Sequence, residues 1–285
     1  MIELIRLRKE YDELVAVQDL NLTIPQGEIF GLIGPNGAGK TTTIRMACGL
    51  LAPTVGRALV NGIDVAAEPE RAQHSIGYLS DFFAVYEDLK VWEYLDYFAH
   101  AYRVAEGDIA ARVTEVIGQV SLEVKRDAMI RGLSRGMKQR LGIARAIIHR
   151  PKVLLLDEPA SGLDPKARLE LRNLLRSMRD QGSTILISSH ILTELEGFCT
   201  SIGIMEKGRM VRSGRSMRLL PRRIWRVICA SAGWGMQPHC WNRSWVGTFM
   251  SPACNSVPGP GLSNSRAQTR NSPNCCLTWL PPACG

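Results

Sequence analysis

The sequence predicts an α/β fold whose central strands are parallel and buried on both faces. Three segments carry that reading: "EIFGLIG" from residue 28, "PKVLLLDEP" from 151 and "STILISSH" from 183 each contain a short continuous apolar run. Apolar runs without alternation suit strands covered by helices on either side. Helical spacing returns between them, and strands alternating with helical pattern argue for a parallel sheet.

Residues 2–33 read as a few strands, and "RALVNGIDV" (57–65) as a hairpin around Asn61-Gly62. The apolar run 29–33 leads into Gly34, Pro35, Asn36, Gly37, Ala38, Gly39, Lys40 and Thr41, followed by Thr42 and a helix whose Ile44, Met46 and Ala47 can face a core. This is G-x-x-x-x-G-K-[ST], a loop whose backbone N–H groups curl around a polyphosphate at a helix N-terminus. Residues 34–42 are therefore the candidate ATP-binding set, with Lys40 reaching the terminal phosphates and the Thr41 hydroxyl on Mg²⁺.

The run Val153–Leu156 ends in Asp157-Glu158, at the strand end where α/β sheets bind ligands. Neighbouring residues of an extended chain point to opposite sides, so the two acids are expected to divide their work. One of them would hold the Mg²⁺ shell while the other faces a water in line with the terminal phosphate. His190 closes the third run at its carboxyl end, placed to contact the same phosphate and water. From about 82 to 135 the pattern turns helical and aromatic, with Trp92, Tyr94, Leu95, Tyr97 and Phe98 in a stripe expected to be core.

The stretch "RGLSRGMKQRLGIARA" (131–146) places Met137, Leu141 and Ala144 on one helical face behind Ser134, Arg135 and Gly136. By residue type alone, Ser134 reads either as an ordinary helix N-cap or as part of a binding site. Together with the phosphate loop and the paired acids, "LSRGM" (133–137), "SGLD" (161–164), "ISSH" (187–190) and "YLSD" (78–81) resemble, in order, the signature loop, D-loop, switch histidine and Q-loop of the nucleotide-binding subunit of an ABC transporter. The match runs from about residue 2 to 213.

The resemblance implies a P-loop NTPase (RecA-like) α/β core with an antiparallel β subdomain and an inserted helical subdomain at about 82–135. It implies an ATPase that pairs head to tail with a second ATPase subunit, a homodimer, and drives a separate integral membrane permease from the cytoplasmic face of the membrane. Asp157 would hold the metal shell, Glu158 would polarise the attacking water, Ser134 and Gly136 would face the partner's ATP, Asp164 would contact across the dimer, and Tyr11 would stack on adenine. Arg135 and Met137 stand where the family has glycine and glutamine; the Arg135 guanidinium would add charge complementarity to phosphate. Asp81 stands where glutamine is usual, able to bind Mg²⁺ through water; with "VWEYL" (91–95), it resembles an exporter-like branch. A soluble, non-transport ABC ATPase and an uncoupled, frameshifted product are the alternatives.

The net charge of +8 would suggest nucleic acid or a membrane surface, but its location argues otherwise. Residues 207–285 hold 11 of the 35 basic residues and no acidic one, leaving 24 basic and 27 acidic residues before them. The body is mildly acidic, and no nucleic-acid partner is expected. Five of the six tryptophans and six of the eight cysteines also lie beyond residue 214, without sustained apolar period. Residues 1–215 are expected to be the ATPase domain and 216–285 an unstructured or frameshift-derived tail. Cys48 and Cys199, the two cysteines of the body, suit a reducing cytosol, and no secretory signal or membrane span is read.

Overall fold

The computed structural model describes residues 1–195 and 198–215. The Cys-, Trp- and Arg-rich stretch 216–285, expected to be a tail, lies outside the described residues. In chain order the elements are β1 (Ile2–Tyr11), β2 (Leu14–Ile24), β3 (Ile29–Ile33), α1 (Lys40–Ala47), β4 (Val55–Val60), β5 (Ile63–Asp64), α2 (Pro69–Ser75) and β6 (Ile76–Leu79). There follow α3 (Val91–Ala101), α4 (Ile109–Gln119), α5 (Arg135–Ile147), β7 (Val153–Leu156), α6 (Pro165–Asp180), β8 (Thr184–Ser189), α7 (Leu192–Leu195), β9 (Ser201–Glu206) and β10 (Arg209–Arg215).

Two sheets result. One is antiparallel, in the order β2-β1-β4-β5; the other runs β10-β9-β3-β8-β7-β6 and is parallel except for β10. The β4–β5 turn is Asn61-Gly62 with both residues at positive φ, the two-residue hairpin its sequence predicts.

The three apolar runs occupy adjacent places as β3, β8 and β7, every residue buried. Their alternate side chains feed two cores, as a pleated strand requires. Ile29, Ile33, Leu154, Leu156, Ile185 and Ile187 join a core with α3, α4, α5 and α6. Phe30, Leu32, Val153, Leu155 and Leu186 join another with α1 and the antiparallel sheet. This double burial is why these strands read as continuous apolar runs.

The aromatic stripe of α3 is split. Tyr94 and Leu95 are fully buried and Trp92 and Phe98 pack partly buried against the core, whereas Tyr97 is 53% exposed. No helix among the described residues is long and apolar enough to cross a membrane. Cys48 is buried and Cys199 half-buried, and burial pushes their thiols up to about 11 and about 12, respectively, which keeps both unreactive.

Candidate functional site

Four adjacent parallel strands, β3, β8, β7 and β6, end on the same side of the sheet and each delivers one segment of the site. After β3 the loop 34–39 curls into α1, and the Gly34 N–H donates to Ser189 O at 3.3 Å, tying the loop to the end of β8. Gly39 sits at φ +98, where a Cβ would lie 2.4 Å from Ala16 O; at Gly34 a Cβ would lie 2.2 Å from Met205 O. Gly39, the N-cap of α1, makes no side-chain cap and the first turn carries no acid. The helix therefore presents its N-terminal N–H groups and positive dipole end with no anion of its own, which fits a phosphate. Asn36 and Gly37 are exposed, Pro35, Thr41 and Thr42 half-buried, and Ala38 buried.

Lys40 is buried and its ammonium has three partners: Gly34 O at 2.8 Å, Pro35 O at 3.2 Å and Glu158 Oε1 at 3.3 Å. The other oxygen of Glu158, Oε2, lies 2.8 Å from His190 Nδ1 and 3.3 Å from the His190 amide, which donates to it. Glu158 thus joins the loop lysine to the histidine, three residues brought together from separate parts of the chain.

The two acids have different partners, by a route other than strand alternation. The strand stops at Leu156, and Glu158 has left-handed backbone, φ +49, so extended-chain alternation does not apply to it. A hydroxyl the sequence reading passed over holds this arrangement. Ser188, fully buried on β8, donates to Asp157 Oδ1 at 2.6 Å and accepts from the Glu158 N–H at 2.9 Å. Asp157 is 1% exposed, and its second oxygen accepts no hydrogen bond among the described residues. That oxygen and the Thr41 hydroxyl at the start of α1 are hard ligands of the kind Mg²⁺ takes alongside water and substrate phosphates. Among the described residues no three His, Cys, Asp or Glu side chains form a complete metal cage.

Asp81 lies past the end of β6. Its carboxyl is pushed above the ordinary value by burial first and then by the negative charges of Asp157 and Glu158, with Arg135 and His190 opposing. It shares with Phe83, Leu133, Arg135, Lys138 and Glu158 a cavity of about 560 Å³.

Ser134 caps α5, its Oγ accepting from the Met137 N–H at 3.3 Å. Arg135 donates to Ser161 O of its own chain at 3.2 Å. Its guanidinium lies against Gly162, where a Cβ would fall 2.3 Å from Cζ. Gly136 approaches the same segment, a Cβ there lying 3.3 Å from Ala167 Cβ. Asp164 is the N-cap of α6, accepting from the Ala167 N–H at 2.8 Å. Tyr11 lies at the tip of the β1–β2 hairpin, 43% exposed, with the Lys9 ammonium 5.1 Å from its ring centroid.

The family described as ABC transporter matches residues 17–161, half of the chain. The chain belongs to the ABC transporter family. This cassette is 36% identical over 224 residues to the Nod factor export ATP-binding protein I of Cupriavidus metallidurans, covering 79% of this chain and 74% of that protein. It is 38% identical over 217 residues to the probable multidrug ABC transporter ATP-binding protein YbhF of Escherichia coli, covering 75% of this chain but only 37% of YbhF. Among solved structures, the cassette resembles the dimeric post-hydrolysis state of the ATP-binding cassette MJ0796 bound to ADP and Pi. The TM-score is 0.68 at 25% identity, over 75% of this chain and 98% of that one. The RecA-like P-loop core and antiparallel β portion are thus those of an ABC ATPase cassette.

Proposed function

We propose that this chain is the ATP-hydrolysing subunit of an exporter-type ABC transporter. It works as a head-to-tail pair of identical subunits on the cytoplasmic face of a separate membrane permease, with residues 1–215 as its catalytic domain. The single observation that carries the chemistry is the contact of Glu158 with both Lys40 and His190 beside an uncapped helix N-terminus. The export ATPases among its relatives support the direction of transport.

ATP would seat its phosphates on the N–H groups of residues 37–42, with Lys40 exchanging its loop carbonyls and Glu158 for the terminal phosphates. Thr41 would hold Mg²⁺, Asp157 its shell, and Asp81 would reach it through water. When bound, the ion neutralises charge on the phosphate oxygens. Release of Lys40 frees Glu158 Oε1 to accept a hydrogen bond from the attacking water while His190 stays on Oε2. His190 then orients Glu158 and faces the γ-phosphate. Tyr11 would offer a ring face to adenine. Ser134 and Gly136 would serve the nucleotide of the second subunit, and Asp164 the contact between them.

The test is sedimentation velocity of the full chain carrying Glu158→Gln. A dimer is expected with Mg²⁺ and ATP and a monomer with ADP. A species that binds ATP yet stays monomeric would overturn the pairing.

A further inference from the structure

Beneath His190 lies a buried carboxylate that the chemistry above does not use. Glu194 is 4% exposed, four residues past His190 on α7. Its Oε2 is 2.7 Å from Ser189 Oγ, and its Oε1 is 3.4 Å from Arg168 Nη2. The Ser189 hydroxyl sends its proton to this carboxylate, the strongest acceptor in reach, and accepts the Ile191 N–H at 3.0 Å. Both neighbours of His190 are thereby fixed to one side chain, while the His190 amide points at Glu158.

The other end of the arrangement is α6. Arg168 stands one turn after Asp164, the N-cap of that helix. One turn further, Arg172 donates from Nη2 to Thr193 O at 2.7 Å and from Nε to Glu194 O at 3.2 Å. Two arginines of α6 thus grip the segment that carries the histidine. The Arg168 contact is slack: Arg168 Nε and Glu194 Oε1 are both buried and neither has a hydrogen-bond partner. A small shift of α6 towards α7 would convert this single long contact into a two-pronged guanidinium–carboxylate pair and satisfy both atoms together.

We propose that Glu194 is the positioning residue of His190, and that the Arg168–Glu194 pair sets the histidine according to where α6 stands. Its effect on turnover rests on the ATPase reading above; its geometric content does not.

The experiment compares Ser189→Ala, Glu194→Gln and Arg168→Met in the full chain by two measurements. In steady-state phosphate release, each is expected to lower kcat about tenfold while leaving the KM for ATP within about twofold, as loss of orientation without loss of binding requires. The Ser189→Ala/Glu194→Gln double variant is expected to be no slower than Ser189→Ala alone. In nucleotide-free protein, amide exchange at residues 190–194 is expected to quicken about tenfold with β3 and β7 unchanged. Unchanged exchange and kcat in all three variants would overturn the proposal, as would faster exchange spread evenly over the β-strands, which marks general destabilisation. A wild-type chain that does not release phosphate would defeat the ATPase reading, and the exchange measurement would still decide the positioning.

Discussion

Replacing Ser188 with alanine removes one oxygen that serves two groups at the base of the site. Asp157 Oδ1 loses its 2.6 Å donor and the Glu158 N–H loses its acceptor, and among the described residues neither makes another hydrogen bond. Leaving a buried polar group unsatisfied costs about 1–3 kcal/mol, more for a charged one, so the pair amounts to about 3 kcal/mol. The left-handed backbone of Glu158, a conformation costing about 1–2 kcal/mol for a non-glycine residue, loses the bond that helps to hold it. Urea unfolding followed by circular dichroism should show the loss directly, and the midpoint of thermal unfolding should fall by about 6–12 °C, taking about 2–4 °C per kcal/mol at this size. Turnover of ATP should fall by about 10- to 100-fold, since Glu158 is no longer anchored against Lys40 and His190. A Ser188→Ala chain within about 0.5 kcal/mol of wild type, at unchanged m-value, would refute the reasoning.

Other expectations follow from the same geometry. Gly39→Ala meets both a positive φ and the Ala16 carbonyl oxygen and should destabilise by about 3 kcal/mol or more, whereas Gly37→Ala meets only its φ of +77 and should cost about 1–2 kcal/mol; equal urea midpoints would contradict this. Arg135→Ala should make Gly162→Ala less harmful, with a coupling of about 1 kcal/mol or more in a double-mutant cycle, because the guanidinium occupies the space of the new methyl group; additive effects would count against it. His149, half-buried and stacked on Tyr102, has its imidazole lowered to about 4 chiefly by burial and takes up a proton more readily when unfolded. Its contribution is present above about pH 6.5 and is lost as pH falls towards 4, which amounts to about 2 kcal/mol at pH 5. His149→Gln should flatten the stability profile between pH 6.5 and 4, and an unchanged slope would show that other groups set it.

The sequence made the central strands legible because burial on both faces leaves no polar alternation, and the phosphate loop legible because its glycines and lysine are contiguous. The carboxylates and His190 could be placed because each stands at the end of such a strand. What could not be read was pairing across the fold. Ser188 lies in a plain strand run, and only the neighbouring strand reveals that its hydroxyl faces Asp157. Glu158 departs from extended geometry because β7 has ended, a boundary that residue type does not mark. Arg135 turns to Ser161, 26 residues away, and Glu194 looks like a surface helix acid until α6 packs over it. In α3 the helical period identified the stripe, but which aromatic edge stays open depends on the packing of its neighbours.

The central claim is that Glu158 turns a nucleotide held by Lys40 into a hydrolysed one. Phosphate release from Mg²⁺-ATP by the full chain, wild type beside Glu158→Gln, with ATP affinity measured on both, tests it most directly. The expected result is release at least about 100-fold slower in the variant with ATP binding retained, the scale of a lost general base. Equal release by the two chains, or no ATP binding by either, would contradict the account.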